Sequence, residues 1–432
     1  MRVLKTLPAG PTLTVLIGVE SVALTWLSFS GMIPFPALLA GYGIAFASYL
    51  AARPFLTNLN APAGIWFLVA LVLRVPWLSA GLPLSDDAWR YLHDGRAQLA
   101  GVNPYRYPPA APEAAVYAGP ERGLINHPEL PTIYPPGAQF AFRLAAMLGG
   151  TLLVWKGVVL GADLLLGLIV GLVAARRGIR NGAALYLLHP LPVIEFAGNG
   201  HLDVLAILGL VGAIALIERG RRSSGIALAG SIAIKYLALP VAPFFVRDAP
   251  PGRRSVLLIG LVASLVLVYL PFLDYPPIGS LGVFARTFEF NGLAFTALSW
   301  LPGVPARLGL GLGMAAVLLV AWFRGARAES ATFAWMAALL LASPIVHPWY
   351  VTWLVPFLVW RRAPWALAWT GTVVLAYAVL PAWRAEGVWH LPFWAFALEY
   401  APVLALLAWW SVGRRPSGQR WNWWRVHGSS LS

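Results

Sequence analysis

The chain has 432 residues, 59% of them hydrophobic and 11% charged, with no cysteine and a formal net charge of +14. Soluble domains carry roughly a quarter charged residues, so this composition excludes them and indicates a polytopic membrane protein. It also excludes disulfides, thiolate chemistry and cysteine metal sites, and the arginines, clustered between apolar runs, read as membrane topology rather than as a nucleic-acid surface.

Arg2 and Lys5 precede an apolar run over about 11–29, and a second run (about 33–51) follows directly. A cleaved signal peptide would be followed by a polar mature segment, so the first run is expected to stay as a helix. Arg53 marks a return to the inner side, and a third run (about 62–80) leads to the longest polar stretch, Ser85-Asp86-Asp87-Ala88-Trp89-Arg90 and onward. Residues 81–136, rich in proline, tyrosine and charge, form the expected outer loop with short interfacial helices. The apolar run 137–150 contains Arg143 and falls short of the ~20 residues that span a bilayer, so it reads as re-entrant or interfacial.

Spans are expected over about 157–175, 183–198 and 202–218. The stretch 225–246, with Lys235 and Pro240 in its middle, reads as a short-helix hairpin open to the inner side. Further spans fall at about 255–272, 306–323, 331–346, 350–361, 365–382 and 393–412. The clusters Arg176/Arg177/Arg180, Arg219/Arg221/Arg222, Arg253/Arg254, Arg324/Arg327, Arg361/Arg362 and Arg414/Arg415 then all lie inside. That asymmetry places both termini in the cytoplasm of a multi-pass plasma-membrane protein with about 11 to 13 crossings. The fold class is an all-α transmembrane helical bundle, one domain over 1–412, and residues 413–432 form a basic cytoplasmic tail.

In this orientation His93, His127, His189, His201, His347 and His390 fall on the outer side and only His427 lies inside, which points to one outward-facing polar cavity. Asp86 and Asp87 stand just beyond a membrane helix. One carboxylate can take a proton from an acceptor hydroxyl while the other raises its pKa by like-charge repulsion. Ser85, Asp86 and Asp87 are equally suited to cap the helix beginning near Ala88, and that structural use stands beside the chemical one. Being adjacent, the two side chains are expected to point in different directions, and no second acidic cluster accompanies them, so a divalent metal stays open but neither it nor any other cofactor is required.

Asn126-His127-Pro128 and Thr132-Ile133-Tyr134-Pro135-Pro136 form a rigid junction into the short apolar helix, with Tyr134 near the cavity mouth. In His189-Pro190 through Asn199-Gly200-His201-Leu202-Asp203 the helix breaks at membrane depth, which is tolerated where backbone is buried or lines a wet cavity. His201, with Asp203 as its partner, is a candidate phosphate donor group. His347-Pro348-Trp349-Tyr350 is another broken junction; His347 suits an anionic headgroup, and Tyr350 either stacks on a sugar or belongs to an interfacial aromatic belt. Arg90 and Lys235 are further phosphate partners on charge alone, and Lys235 has the alternatives of snorkelling or pairing with an acid.

The order of an acidic pair after an early helix, Arg90-Tyr91 with Asp94-Gly95-Arg96, Gly101-Val102-Asn103-Pro104-Tyr105, Tyr134-Pro135-Pro136, Asn199-Gly200-His201 with Asp203, and His347-Pro348-Trp349-Tyr350 resembles the integral-membrane glycosyltransferases of the GT-C superfamily. It is similar especially to the polyprenyl-phosphate-mannose-dependent mannosyltransferases, including bacterial glycosyltransferase family 87 and the eukaryotic glycosylphosphatidylinositol mannosyltransferase I. The resemblance implies an inverting transfer of one sugar, mannose in the nearest cases, from a polyprenyl-phosphate donor in the outer leaflet to a lipid-linked or glycan hydroxyl outside the cytoplasm. It implies that Asp86 or Asp87 is the base and that His347 helps hold the donor phosphate. The family's aspartates are often spaced by one residue; here they are adjacent, and Asp86, nearer the membrane span, is the preferred base. A secondary transporter or lipid-linked sugar flippase is the alternative, since broken helices and buried charge suit one too. The one-sided distribution of polar residues and the long outer loop favour the enzyme.

Overall fold

The structure, a computed structural model, describes residues 9–412 apart from Asn60 and Val304. Arg2, Lys5 and the expected tail at 413–432 lie outside the described residues. The chain is an all-α helical bundle whose described residues contain no β-strand, only isolated bridges from Phe290 and Asn291 to Ile345. Among the described residues 7 helices are long and apolar enough to cross a membrane: Gly10–Ser28, Phe35–Asn58, Leu152–Arg176, Pro251–Phe272, Ala306–Phe323, Pro364–Glu386 and Phe393–Val412. Shorter apolar helices, including Ala63–Leu78, Asp203–Ile217 and Ala328–Ala342, stand at other expected spans.

Where the sequence reads as one domain, the contacts gather into two compact units interleaved along the chain. The first holds the residues up to Leu84, Leu164–Gly198 and those from His347 onward. In it Ala9–Ser28 packs on Phe35–Asn58, and the expected span 183–198 breaks into Gly182–Leu187, Pro190–Pro192 and a π-helical Val193–Gly198. Every residue of that broken segment is buried, so its freed backbone groups need partners inside the protein. The Arg74 guanidinium donates to the Leu187 carbonyl at 2.7 Å, and the Tyr49 hydroxyl to the Leu185 carbonyl at 2.6 Å. Nearby, His189 Nε2 lies 3.0 Å from Thr370 Oγ1, and the Tyr377 hydroxyl donates to both Glu195 carboxylate oxygens at 2.9 Å.

The second unit holds Ser85–Asp163 and Asn199–Val346. The polar stretch 81–136 carries one true helix, Asp87–Leu99, and short 3₁₀ turns at Pro112–Val116 and Pro120–Leu124. The short apolar run is the helix Pro136–Met147, started by an extended Pro135 with proline at its first position, which pre-sets φ and lacks an N–H that would go unused there. It lies against Asp87–Leu99. Over the expected hairpin stretch 225–246, Ser224–Ile234 packs on Asp203–Ile217, Lys235 ends it in an extended conformation (φ −153°, ψ 131°), and a 3₁₀ turn through Pro240 leads into Ala242–Asp248. This break sets Lys235 beside the start of Asp203–Ile217.

Helix contact in this unit is close where glycine permits it. At Gly95 a Cβ would run into the Phe142 backbone carbonyl, which cannot move out of the way without breaking the Pro136–Met147 helix. Gly95→Ala is therefore expected to destabilise the protein by about 1–3 kcal/mol through overpacking. Gly123→Ala, with open space around it, is expected to change stability by less than about 0.5 kcal/mol. Thermal unfolding of the two variants in detergent separates them.

Candidate active site

The site begins where the polar stretch after Leu84 turns into Asp87–Leu99. Asp86 occupies the N-cap position but makes no side-chain cap hydrogen bond, so the capping use does not account for the acidic pair. Both carboxylates instead accept from one group: Asn126 Nδ2 donates to Asp86 Oδ1 at 2.6 Å and to Asp87 Oδ1 at 3.1 Å. The expectation that adjacent aspartates point apart is corrected here. Asp87 has just entered a helix while Asp86 has not, and this change of backbone direction lets the two side chains converge on the facing loop.

Asp87 also faces His201, whose Nδ1 lies 3.7 Å from Asp87 Oδ2. The imidazole is fully buried, whereas the Asp87 side chain keeps 20% of its surface. Asp203 Oδ1 takes the ammonium of Lys235 at 2.6 Å, because the hairpin break delivers Lys235 to the first turn of Asp203–Ile217. Lys235 therefore does not snorkel.

These placements set the charge on the pair. Burial pushes the Asp87 carboxyl up to about 7, and repulsion from Asp86 and Asp203 adds to it, while the Asn126 hydrogen bond and the Lys235 charge hold it down. Burial raises Asp86 as well, opposed by its bond to Asn126 and by the nearness of His127. A carboxyl titrating near neutrality is suited to accept a proton from a hydroxyl.

The remaining candidates have distinct placements. The Arg90 guanidinium, buried, donates to the carbonyls of Leu130 (2.9 Å), Asn126 (3.3 Å) and His127 (2.8 Å), and so fastens the loop that carries Asn126. His127 is exposed; its Nδ1 lies 3.5 Å from Glu129 Oε1 and its ring meets Phe288 edge-on at 4.8 Å. Tyr134 is a wall residue, edge-on to Tyr91 at 5.0 Å and to Phe142 at 5.6 Å, with its carbonyl accepting from the Tyr105 hydroxyl at 2.6 Å. Behind it, Gln139 Nε2 bridges the buried Asp94 carboxylate (3.0 Å) and Thr132 Oγ1 (3.1 Å). His347 and Tyr350 belong to the first unit, where the imidazole stacks on Trp349 (4.2 Å, 3°) and Tyr350 stacks on Trp353 at 4.8 Å.

Asp86, Asp87, His201 and Lys235 are thus brought together, with Arg90 and Tyr134 building the surrounding wall. Asn126, the group that joins the acidic pair, was legible only as the residue before a histidine-proline junction. Among the described residues no group of three or more histidine and acidic side chains could hold a metal ion.

Residues 8–248 match the family model described as alpha-(1->6)-mannopyranosyltransferase, N-terminal domain. The chain is also similar to alpha-(1->6)-mannopyranosyltransferase B of Corynebacterium glutamicum, at 24% identity over 484 residues covering 94% of this chain and 75% of that one. No solved structure matches. The matched region contains Asp86, Asp87, Asn126, His201 and Lys235, so the acidic site lies within the part of the chain that carries the family likeness.

The Lys235–Asp203 pair generates a stability prediction. The Asp203 side chain is 1% exposed and that of Lys235 20% exposed, so Lys235→Met leaves a buried carboxylate without its ammonium. It is expected to cost about 3 kcal/mol, the low end for a buried pair because the lysine keeps some solvent. Lys235→Met combined with Asp203→Asn is expected to be clearly less destabilised than the sum of the two single changes, a coupling that a double-mutant cycle in detergent measures directly.

Proposed function

The chain belongs to the alpha-(1->6)-mannopyranosyltransferase family, and from that premise we propose that it transfers mannose from a polyprenyl-phosphate donor to an extracytoplasmic glycan or lipid-linked acceptor, forming an α(1→6) link. Membership of this family makes it a multi-pass membrane glycosyltransferase and replaces the transporter and flippase alternatives. The observation that carries the proposal is Asp87, a partly exposed carboxylate raised to about 7 and held beside Asp86, Asn126 and His201.

In the proposed reaction Asp87 accepts the proton of the acceptor hydroxyl as that oxygen attacks the anomeric carbon. The bond from that carbon to the phosphate oxygen breaks on the opposite face, polyprenyl phosphate leaves with the bonding pair, and the anomeric configuration inverts. Asp87 is preferred to Asp86 because it is the one raised to about 7 and the one facing His201, which orients it. Asp86 keeps Asp87 basic by repulsion, and Lys235 offsets the third carboxylate, Asp203. The donor-phosphate role that resemblance implies for His347, with Tyr350, is part of this proposal. So are the site on the outer face of the plasma membrane and the cytoplasmic termini, which rest on the distribution of arginines. No cofactor is needed for these steps.

The test is mannosyl transfer in membranes supplied with polyprenyl-phosphate mannose and an acceptor glycan. Asp87→Asn is expected to lower the rate by about 10²–10⁴-fold, the range for loss of a general base, and Asp86→Asn by less. Transfer unchanged by both substitutions overturns the proposal. A base works only when ionised, so the wild-type rate is expected to fall as pH drops below about 7 and to level off above it. Asp87→Asn removes that acid limb from whatever activity remains.

A further inference from the structure

We infer that Asn126, fastened by Arg90, is a positioning residue that gathers the two aspartates onto one amide and aims Asp87 at the acceptor. The inference rests on the reading of Asp87 as the base and adds a residue to it.

Two carboxylates on successive residues repel each other, and backbone geometry alone does not hold them together. Among the described residues Asn126 is the side chain that hydrogen-bonds both, at 2.6 Å to Asp86 and 3.1 Å to Asp87. An amide –NH₂ offers two donors and no charge, so it bridges the pair without neutralising it as a lysine or arginine would. Neutralisation would leave a carboxylate too weakly basic to take a proton from a hydroxyl. A neutral bridge keeps the pair together and still basic.

The backbone beneath Asn126 is built for this task. The next residue, His127, sits in the left-handed region at φ 46°, uncommon for any residue but glycine and more so directly before Pro128. Such a conformation persists only where its surroundings impose it, and it is the observed outlier from which a functional role is argued. Here Arg90 imposes it. A guanidinium that is 6% exposed is committed to the carbonyls on either side of the turn, those of Asn126 and His127 and that of Leu130 beyond. Arg90 itself lies one helical turn beyond Asp86 and Asp87, so one short helix carries both the base and the clamp that brings the bridging amide to it.

Charged and titratable groups facing the pair from every packed element are Asp203 and Lys235 from the hairpin, His201 from the broken helix, His127 from the loop and Tyr91 from the same helix. None of these changes when Asn126 is substituted, so the amide is separable from them by experiment.

The experiment measures the pH dependence of mannosyl transfer for wild type, Asn126→Ala, Asn126→Asp and Asp87→Asn, each first checked for folding by thermal unfolding. Loss of the donor is expected to move the midpoint of the acid limb upward by about one unit or more in Asn126→Ala. In Asn126→Asp, which keeps the shape and so guards against a misfolded alanine variant, the added carboxylate is expected to move it further. A folded Asn126→Ala with the wild-type midpoint, or with a rate lowered equally at every pH, overturns the inference while the Asp87 reading stands. An acid limb that persists in Asp87→Asn overturns both.

Discussion

Two neighbouring carboxylates, Asp86 and Asp87, are held together in a largely buried place, and the proposed chemistry depends on that arrangement. Repulsion and burial each favour the neutral form, and together they would leave a protonated, inert pair. The fold opposes them with small, directed contributions: one amide and an ammonium already matched to another carboxylate. Asp87 ends near neutrality, raised to about 7, where the unprotonated form is present and still basic. Either a lone buried aspartate or one tied to a guanidinium would have fallen on the wrong side of that balance.

Broken helices make this possible, and membrane physics decides how they are tolerated. A span interrupted by proline leaves carbonyls and amides without helical partners, and a bilayer has no water to take them. In the first unit the break at His189-Pro190 is answered by Tyr49 and Arg74, which reach the Leu185 and Leu187 carbonyls, and by Thr370 beside the imidazole. In the second unit the break at Lys235 frees a charged side chain in mid-hairpin, and Asp203 at the head of the neighbouring helix receives it. In both units the polar residues that look misplaced in an apolar chain attend to a helix end.

How much of this was legible in the sequence follows from the range of the interactions. Features set by local chemistry were readable: the acidic pair after an apolar run, a helix started at Pro135-Pro136, and a helix break near Lys235 and Pro240. Pairings made across the fold were not. Asn126 stands about forty residues from the aspartates it bridges and Lys235 about thirty from Asp203, and no periodicity relates such positions. At the start of one helix His201 lies 3.7 Å from Asp87 and Asp203 takes the Lys235 ammonium, contacts that their positions in the sequence do not announce. Arg90 read as a charge for a ligand because its carbonyl partners carry no side-chain signature.

The outer wall shows the same logic at the level of size. Gly279, at φ 47°, lies so close to the Thr132 carbonyl that a Cβ would collide with it, and the adjacent Ser280 hydroxyl donates to the Pro131 carbonyl at 2.7 Å. The segment after Phe272 is thereby strapped onto the Thr132–Tyr134 junction, which is held from beneath by Gln139 and Asp94 and from the side by the Tyr105 hydroxyl. Loops fixed at this many points lose the freedom that usually makes an outer loop a poor support for catalysis. Backbone contacts and glycine clearances supply a fixed frame around the Thr132–Tyr134 junction, and the base role proposed for Asp87 asks for a frame of that kind.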